Sequence, residues 1–264
     1  MGYVLKMDCS TSPKASWIPP TDAAEHLIVA LDFPSLRTAL DLVDRLDGRC
    51  RWFKVGLELY LAAGTPVIEA LRKRDLQVFL DLKLHDIPNT VASAVEILCS
   101  SGASLLTLHA SGGSAMLSAA VEIVKQFRHA PKLLAVTLLT SMDQERMEEV
   151  GLSDDPAAQV LRLARIAQAA GISGMICSPR ETSMLRTELG DDLLLVTPGI
   201  RPTSATPGDQ RRFTTPAEAI AAGASMLVVG RPITRSPDPG AAASAILAEM
   251  TEAAYLRKTV NRQA

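Results

Sequence analysis

The sequence predicts a single-domain α/β protein, a (β/α)8 barrel, from the number, spacing and composition of its apolar segments. Eight short apolar runs follow one another, with stretches of helical periodicity between them. This alternation indicates one parallel sheet with crossover helices, and eight units are the number that closes a barrel. An open doubly wound sheet is the competing architecture, although the dinucleotide-binding pattern G-x-G-x-x-G is absent. The expected strands are Leu27–Leu31, Trp52–Gly56, Val78–Leu82, Ser104–Leu108, Leu133–Leu138, Gly174–Cys177, Leu193–Thr197 and Met226–Gly230.

The composition favours helices packed on a buried sheet. Hydrophobic residues make up 47% of the 264 residues and aromatic residues only 4%, so the core must be built from aliphatic side chains. The formal net charge of −2 argues against a general nucleic-acid-binding protein. No apolar run approaches the roughly 18 residues of a membrane span, so no membrane partner is expected.

Local signals mark the limits of the predicted helices. Ser35, Asp155-Pro156 and Thr215-Pro216 are typical helix starts, because their side chains accept hydrogen bonds from free backbone N–H groups or fix the first helical φ angle. Glycines follow three of the helical stretches directly before the next strand, as C-terminal caps do. These are Gly102, Gly171 and Gly223.

Residues 1–24 differ from the rest of the chain. They carry Ser, Thr, Pro and Lys without clear periodicity and without the continuous apolar segment of a secretory signal. We interpret them as a poorly ordered extension, and residues 25–264 as the barrel domain. The four cysteines lie far apart without a C-x-x-C pair, which indicates reduced thiols in a cytoplasmic protein. The four histidines form no zinc-binding pattern, so no metal is expected.

Charged residues interrupt three of the apolar strands. Asp32 ends the first run, Lys54 lies inside the second, and Asp81 and Lys83 lie two residues apart in the third. Side chains two apart share one face of a strand, and the helix-packed face must be apolar, so both should point into the barrel near its carboxyl end. Buried ion pairs add little net stability, so their convergence favours a functional site. The alternatives are a plain ion pair between strands and, for Lys54, an end-of-strand lysine that reaches solvent.

Further polar residues follow the later strands. His109 ends the fourth strand, as a site residue or as a satisfied core or rim histidine. Thr140 and Ser141 end the fifth strand, where hydroxyls either bind a ligand or cap a helix.

The loops after the seventh and eighth strands indicate a phosphate site, because barrels often bind phosphate there. Arg201 and Gln210 lie on a long loop rich in Pro, Gly and Thr, and such loops are frequently lids. After the eighth strand, Gly230 allows close backbone approach and Arg231 can donate two hydrogen bonds to phosphate oxygens. The alternative is a solvated loop with incidental arginines.

Short motifs surround these polar residues in a fixed order. They are ALDFPS (30–35), FKVGLELY (53–60), DLKLHDIPNT (81–90), HASGG (109–113), TLLTSM (137–142), TPGIRP (197–202), GDQRR (208–212) and GRPIT (230–234). Together they resemble the orotidine 5′-phosphate decarboxylase family from residue 27 to about residue 250. The D-x-K-x-x-D part alone is less specific, because related barrel enzymes that act on sugar phosphates share it.

The resemblance implies a homodimeric, cofactor-independent barrel that converts orotidine 5′-monophosphate to UMP and CO2 in pyrimidine synthesis. It implies that Lys83 donates a proton to C6 of the pyrimidine and that Asp81 lies beside the substrate carboxylate. Asp86 and Thr90 would enter from the neighbouring subunit, and Asp86 would complete a Lys54–Asp81–Lys83–Asp86 charge array. The other implied contacts are Asp32 and Lys54 to the ribose, Thr140 and Ser141 to the pyrimidine, and Arg201, Gln210, Gly230 and Arg231 to the phosphate.

Three other functions stay open at this point. A phosphosugar decarboxylase or aldol-type synthase with the same D-x-K-x-x-D motif would need a divalent metal to stabilise an enediolate. An enzyme could use Lys83 or Lys54 to form a Schiff base with a carbonyl substrate. A barrel without chemistry could bind a nucleotide, although every candidate catalytic position is filled.

Overall fold

The protein is described by a computed structural model over residues 22–202 and 214–261. Eight parallel strands in these ranges pair in sequence order, and β1 pairs with β8, so the sheet closes on itself. The (β/α)8 barrel is therefore confirmed and the open doubly wound sheet is excluded. The strands are β1 (Leu27–Ala30), β2 (Trp52–Gly56), β3 (Gln77–Leu84), β4 (Leu105–His109), β5 (Lys132–Val136), β6 (Gly174–Ile176), β7 (Leu194–Thr197) and β8 (Met226–Val229).

Helices follow each strand and cover the outside of the barrel. The helices in the described ranges are α1 (Leu36–Arg45), α2 (Leu57–Ala63), α3 (Pro66–Arg72), α4 (Pro88–Cys99), α5 (Gly113–Val124), α6 (Gln144–Glu149), α7 (Pro156–Ala169), α8 (Pro179–Leu189), α9 (Pro216–Ala222), α10 (Arg231–Thr234) and α11 (Pro239–Asn261). Short 3-10 helices span Ala23–Glu25 and Ala110–Gly112. None of these helices has the length and apolar character that crossing a membrane requires.

The strands are buried on both faces, which explains why they are continuous apolar runs. In β1, Leu27 and Val29 belong to the large outer core between strands and helices, whereas Ile28 and Ala30 belong to a smaller core inside the barrel. The inner core is aliphatic apart from Phe79 and the partly buried Trp52, so a low aromatic content is sufficient to fill it. Side chains therefore occupy the barrel interior, and a cavity opens towards its carboxyl end.

The predicted starts of α1, α7 and α9 and the glycines at the ends of α7 and α9 are confirmed, whereas Gly102 does not cap α4, because that helix already ends at the C-cap Ser100. The Ser35 hydroxyl accepts a hydrogen bond from the Thr38 N–H at the start of α1, and Asp155 caps α7 in the same way. Thr215 and Glu218 form a reciprocal capping box at the start of α9, and Gly223 ends that helix with a left-handed φ of 106°. Such caps satisfy backbone groups that the helix itself leaves without partners.

The predicted N-terminal extension falls mostly outside the described residues, because the structure describes the chain only from residue 22. Asp22 caps the short 3-10 helix Ala23–Glu25, and β1 begins two residues later at Leu27. The barrel therefore starts within three residues of the predicted domain limit at residue 25.

Candidate active site

A cavity of about 180 Å³ opens at the carboxyl end of the barrel. Its polar lining consists of Lys54, Asp81, Lys83 and Thr140. Apolar side chains form the remaining wall, among them Phe79, Val136, Leu138, Ile176 and Val228. A mostly apolar cavity with a few convergent polar groups is the usual form of a small-molecule site.

Four charged side chains, on β2, on β3 and directly after β1, form one chain of ion pairs, as the sequence predicts. The Lys54 ammonium lies 2.9 Å from Asp32 Oδ1 and 3.8 Å from Asp81 Oδ2. The Lys83 ammonium donates to both Asp81 oxygens at 2.8 Å. The side chains of Lys54 and Asp81 are only 11% and 12% exposed, so solvent screens their interaction weakly. Lys83, at 30% exposure, keeps access to the cavity.

Gly56, at the end of β2, makes the approach of Lys54 to Asp32 possible. A Cβ atom at this position would lie 2.8 Å from the Lys54 ammonium and 3.4 Å from Asp32 Oδ1. Any other residue would therefore occupy space that the ion pair now fills. The glycine in the motif FKVGLELY is explained by this close approach rather than by an unusual backbone angle.

The backbone at Lys83 departs from the regular strand that the sequence predicts. The prediction that both side chains face the cavity is confirmed, but the strict two-residue alternation behind it is wrong. Lys83 has a left-handed φ of 51°, and the β3–β4 register shifts between Leu80 and Leu84. A bulge of this kind changes the direction of a side chain and is frequent beside active sites.

Thr107, in the middle of β4, is a site residue that the sequence analysis missed. Its buried hydroxyl accepts a hydrogen bond from the Lys83 N–H at 2.8 Å and donates one to Asp81 Oδ1 at 3.0 Å. The available signal was a hydroxyl within the apolar run LLTLH. That signal is weak, because threonine is common in strands for its branched shape alone.

His109 lies at the end of β4 with His85 beside it, and their ring centroids are 5.4 Å apart. Burial lowers the pKa of His109, and the neighbouring His85 and Lys83 lower it further, whereas Asp81 opposes them. His109 is therefore neutral at physiological pH and adds no positive charge next to Lys83. His109 was predicted to be either a site residue or a core or rim histidine. Both descriptions apply, because it is half-buried at the end of β4 and borders the site.

Thr140 and Ser141 do not end the fifth strand, contrary to the prediction. β5 ends at Val136, and both residues lie in a turn beyond it because the chain leaves the sheet before it reaches them. Thr140 lines the cavity and Ser141 is not among its lining residues. The Ser141 carbonyl accepts a hydrogen bond from Arg146, and Asp143 caps α6, so neither hydroxyl caps that helix.

Asp86 and Thr90 are exposed and lie outside the cavity of their own chain. Asp86 Oδ1 accepts a hydrogen bond from the Ile87 N–H at 2.6 Å. Across residues 22–202 and 214–261, no ion pair involves Asp86. The fourth member of the implied charge array is therefore not brought to the other three within one chain.

The residues predicted to bind phosphate are described only in part. Gly230 lies beside Asp32, since a Cβ atom at Gly230 would come within 3.9 Å of Asp32 Oδ2. Arg231 is exposed and begins α10, so it follows β8 at the same end of the barrel. Arg201 is only 9% exposed, and its N–H donates to the Thr214 carbonyl. Gln210 lies outside the described residues.

Within the described part of the chain, no group of three or more His, Cys, Asp or Glu side chains is placed to hold a metal ion. The charged side chains of the site instead alternate in sign, from Asp32 through Lys54 and Asp81 to Lys83.

Fold and site together define a (β/α)8-barrel enzyme with a site of alternating lysines and carboxylates at the carboxyl end of its strands. The family model for the orotidine 5′-phosphate decarboxylase / HUMPS family matches residues 25–246. The chain belongs to this family.

The chain matches individual relatives over nearly their whole length. The chain is 51% identical over 232 residues to an orotidine 5′-phosphate decarboxylase of Chromohalobacter salexigens, covering 88% of this chain and 98% of that protein. A relative of the same name from Opitutus terrae is 51% identical over 226 residues, covering 85% and 97%. The crystal structure of an orotidine 5′-phosphate decarboxylase from Lactobacillus acidophilus superposes with a TM-score of 0.76 at 42% identity, covering 85% and 98%.

Proposed function

We propose that this protein decarboxylates orotidine 5′-monophosphate to UMP and CO2, the last step of pyrimidine nucleotide synthesis. The observation that carries the proposal is the alternating cluster Lys54–Asp81–Lys83 at the edge of the cavity. Family membership supports the same reaction, because the matched relatives bear the name of this decarboxylase.

The reaction needs a positively charged group beside the carbon atom that loses CO2. Heterolysis of the bond between C6 and the carboxylate releases CO2 and leaves the electron pair on C6, where no π system accepts it. The Lys83 ammonium, fixed by both Asp81 oxygens at 2.8 Å, stabilises this developing charge and then donates a proton to C6. Lys83 later recovers its proton from solvent, to which its side chain has 30% exposure.

Asp81 has two roles in this scheme. It holds the Lys83 and Lys54 ammonium groups in place, so that little reorganisation is needed when charge develops. It also lies where the substrate carboxylate must approach Lys83, so repulsion between the two carboxylates disfavours the bound substrate relative to the transition state.

The remaining contacts hold the nucleotide. Asp32 and Lys54, paired at 2.9 Å, would bind the ribose hydroxyls, and Thr140 and Ser141 the pyrimidine. Arg201, Gln210, Gly230 and Arg231 would bind the phosphate or close over it. Phosphate binding far from C6 can supply energy for loop closure and so lower the chemical barrier.

A homodimer with shared sites is part of the proposal. Asp86 and Thr90 are exposed on the segment that follows Lys83, beside the exposed Ile87. Ile97 on α4 is also largely exposed, at 74%. A second copy that covered this surface would bury these apolar side chains and could bring its Asp86 to the first chain's Lys83.

Mixing of inactive variants tests the shared site. Lys83→Ala and Asp86→Ala chains, mixed and allowed to exchange subunits, should regain about one quarter of the unsubstituted activity, because each mixed dimer holds one intact site. Lys83→Ala mixed with Lys54→Ala is the matched control. In the proposed dimer one chain supplies both lysines of a site, so every site in this mixture lacks one lysine and no intact site forms. Mixed dimers without recovered activity would contradict the shared site.

A cytoplasmic location and a small-molecule ligand complete the proposal. The cysteines within the described ranges, Cys50, Cys99 and Cys177, are buried free thiols, as in proteins of reducing compartments. Burial raises the pKa of Cys50 and Cys177 to about 12, so both stay protonated and unreactive. The near-neutral net charge of −2 supports a nucleotide ligand rather than nucleic acid.

An assay with two substrates and a chelator tests the proposed activity. The purified protein, in excess EDTA, should convert orotidine 5′-monophosphate to UMP, followed by the change in ultraviolet absorbance and by identification of the product. Turnover of a ketohexose 6-phosphate that depends on added divalent metal, without turnover of the nucleotide, would favour the phosphosugar alternative instead. Inactivation by borohydride only when substrate is present would indicate a Schiff-base lysine.

A further inference from the structure

The bulge in β3 leaves a backbone group beside the site without a strand partner. Leu80 pairs with Leu106 and Leu84 pairs with Leu108, so four residue steps in β3 face two steps in β4. Lys83 lies within this irregular segment and has a left-handed backbone conformation. Residues other than glycine adopt this conformation only at a cost in free energy. Its N–H must find a partner other than a regular ladder carbonyl.

Thr107 supplies that partner from the opposite strand. It is the β4 residue between Leu106 and Leu108, so it faces the extra residues of β3. Its hydroxyl accepts from the Lys83 N–H at 2.8 Å. Because an N–H can only donate, the hydroxyl proton is free for Asp81, and Thr107 Oγ1 donates to Asp81 Oδ1 at 3.0 Å. One uncharged group thus ties the backbone of Lys83 to the side chain of Asp81.

The position of this hydroxyl excludes a direct contact with the ligand. Thr107 has no exposed surface and is not among the residues that line the cavity. A hydroxyl at this place also adds a donor to Asp81 without adding a charge to the cluster. The Asp81 carboxylate then accepts from Thr107 as well as from Lys83, and its orientation is fixed from two directions.

We propose that Thr107 is a positioning residue that holds Lys83 in its bulged conformation and aims its ammonium at the reacting carbon through Asp81. This proposal rests on the decarboxylase function proposed above. Thr107 does not bind substrate, so its removal changes the chemical step and leaves substrate affinity nearly intact. Side chains at catalytic positions depend on such supporting contacts for their precision.

The test compares three variants with the unsubstituted protein. Thr107→Val keeps the shape and removes the hydroxyl, and it should lower kcat about 10- to 100-fold, the loss expected of a small misplacement, with KM changed less than about threefold. Thr107→Ser keeps the hydroxyl and should recover kcat to within about threefold of the unsubstituted value. Thr182→Val is the matched control, because Thr182 is equally buried and its hydroxyl donates to a carbonyl of its own helix region.

Several results would overturn the proposal. They are a Thr107→Val protein with unchanged kcat, a Thr107→Ser protein as impaired as Thr107→Val, a change confined to KM, or an equal loss in Thr182→Val. Absence of activity in the unsubstituted protein would instead refute the proposed function, so the two failures are distinguishable.

Hydrogen exchange in the unsubstituted protein tests the contact even if Thr107→Val does not fold. The Lys83 amide should exchange at least about 100-fold more slowly than in an unstructured chain, because its N–H is held by the Thr107 hydroxyl. Exchange at the unstructured rate would contradict the proposal without reference to any substrate.

Discussion

Charged side chains that are largely or partly shielded from solvent lie at both ends of the barrel, and their surroundings differ. At the carboxyl end, Lys54 and Lys83 face the carboxylate of Asp81 beside an open cavity. At the amino end, Arg186 of α8 is only 8% exposed and donates to neutral oxygens. These oxygens are the carbonyls of Gly223, Asp191 and Leu193 at 2.9, 3.0 and 2.7 Å, and Ser225 Oγ at 2.7 Å.

The two groups of charges differ in whether they lie beside a cavity that a ligand can enter. The Arg186 guanidinium is surrounded by acceptors from the segments that lead into β7 and β8, so it fastens α8 to those strands. The carboxyl-end lysines are held mainly by other charges, and such pairs add little net stability. We expect the buried Arg186, which is bound by backbone carbonyls and a serine hydroxyl, to stabilise the fold, and the lysines and carboxylates that face one another at the cavity to serve the chemistry.

The largest expected effect is on turnover in Lys83→Ala. Loss of both the stabilising charge and the proton donor should lower kcat for orotidine 5′-monophosphate by at least about 1,000-fold. The melting temperature should change by less than about 3 °C, because the side chain is partly exposed and its ion pair contributes little. Steady-state kinetics and calorimetry on the same preparation check both values. Turnover within tenfold of the unsubstituted protein would contradict the role of Lys83.

The opposite result is expected for Arg186→Met. Removing the guanidinium leaves several buried acceptors without a donor, which should cost about 3 kcal/mol in the free energy of unfolding. For a chain of this size that corresponds to a fall of roughly 6 to 12 °C in the melting temperature. The turnover of the folded protein at a low assay temperature should stay within about twofold, since the amino end holds no reacting group. An unchanged melting temperature in Arg186→Met would contradict the stabilising role of Arg186.

A smaller effect is expected for Gly56→Ala. The new methyl group would displace the Lys54 ammonium, 2.8 Å from the Cβ position, away from Asp32. Since this pair is proposed to bind the ribose, KM should rise about tenfold, with a smaller change in kcat. Asp32→Asn and the double variant complete a cycle, and the two changes should not be additive if they act on the same pair. Full additivity would indicate that Gly56 acts elsewhere.

The smallest expected effect is the pH dependence of stability at His109. Its pKa is lowered in the folded protein, mainly by burial and also by His85 and Lys83, with Asp81 opposing. The unfolded chain therefore binds a proton more readily, and stability is lost as pH falls below the ordinary value of 6.5. Between pH 7 and pH 5, the melting temperature of His109→Gln should fall about 1 to 3 °C less than that of the unsubstituted protein. The exposed His129→Gln is the control, and an equal change in both would contradict the assignment.

The fold could be predicted because each strand of a closed parallel barrel is buried on both faces. Runs such as Leu27–Leu31 and Met226–Gly230 therefore stand out without any knowledge of their neighbours. Closure itself rested only on the number of units, and it is the pairing of β1 with β8 that establishes it. The starts of α1, α7 and α9 were also predictable, because capping depends on local sequence.

The site was predictable where a charge interrupts an apolar strand, as at Lys54, Asp81 and Lys83. Thr107 could not be recognised in this way, because it is uncharged and suits a strand for other reasons. The bulge at Lys83 depends on the register between two strands and leaves no mark in the sequence of either. Asp86 is a different case, since its partner is predicted to belong to a second subunit and not to the same chain.

The most direct test of the central claim is the release of CO2 from orotidine 5′-monophosphate by chelator-treated protein. If the lysines and carboxylates at the carboxyl end perform the chemistry, CO2 and UMP should appear in equal amounts in excess EDTA, at a rate that added divalent metal does not increase. Absence of CO2 release by the folded protein, or release that requires a restored metal ion, would contradict the account.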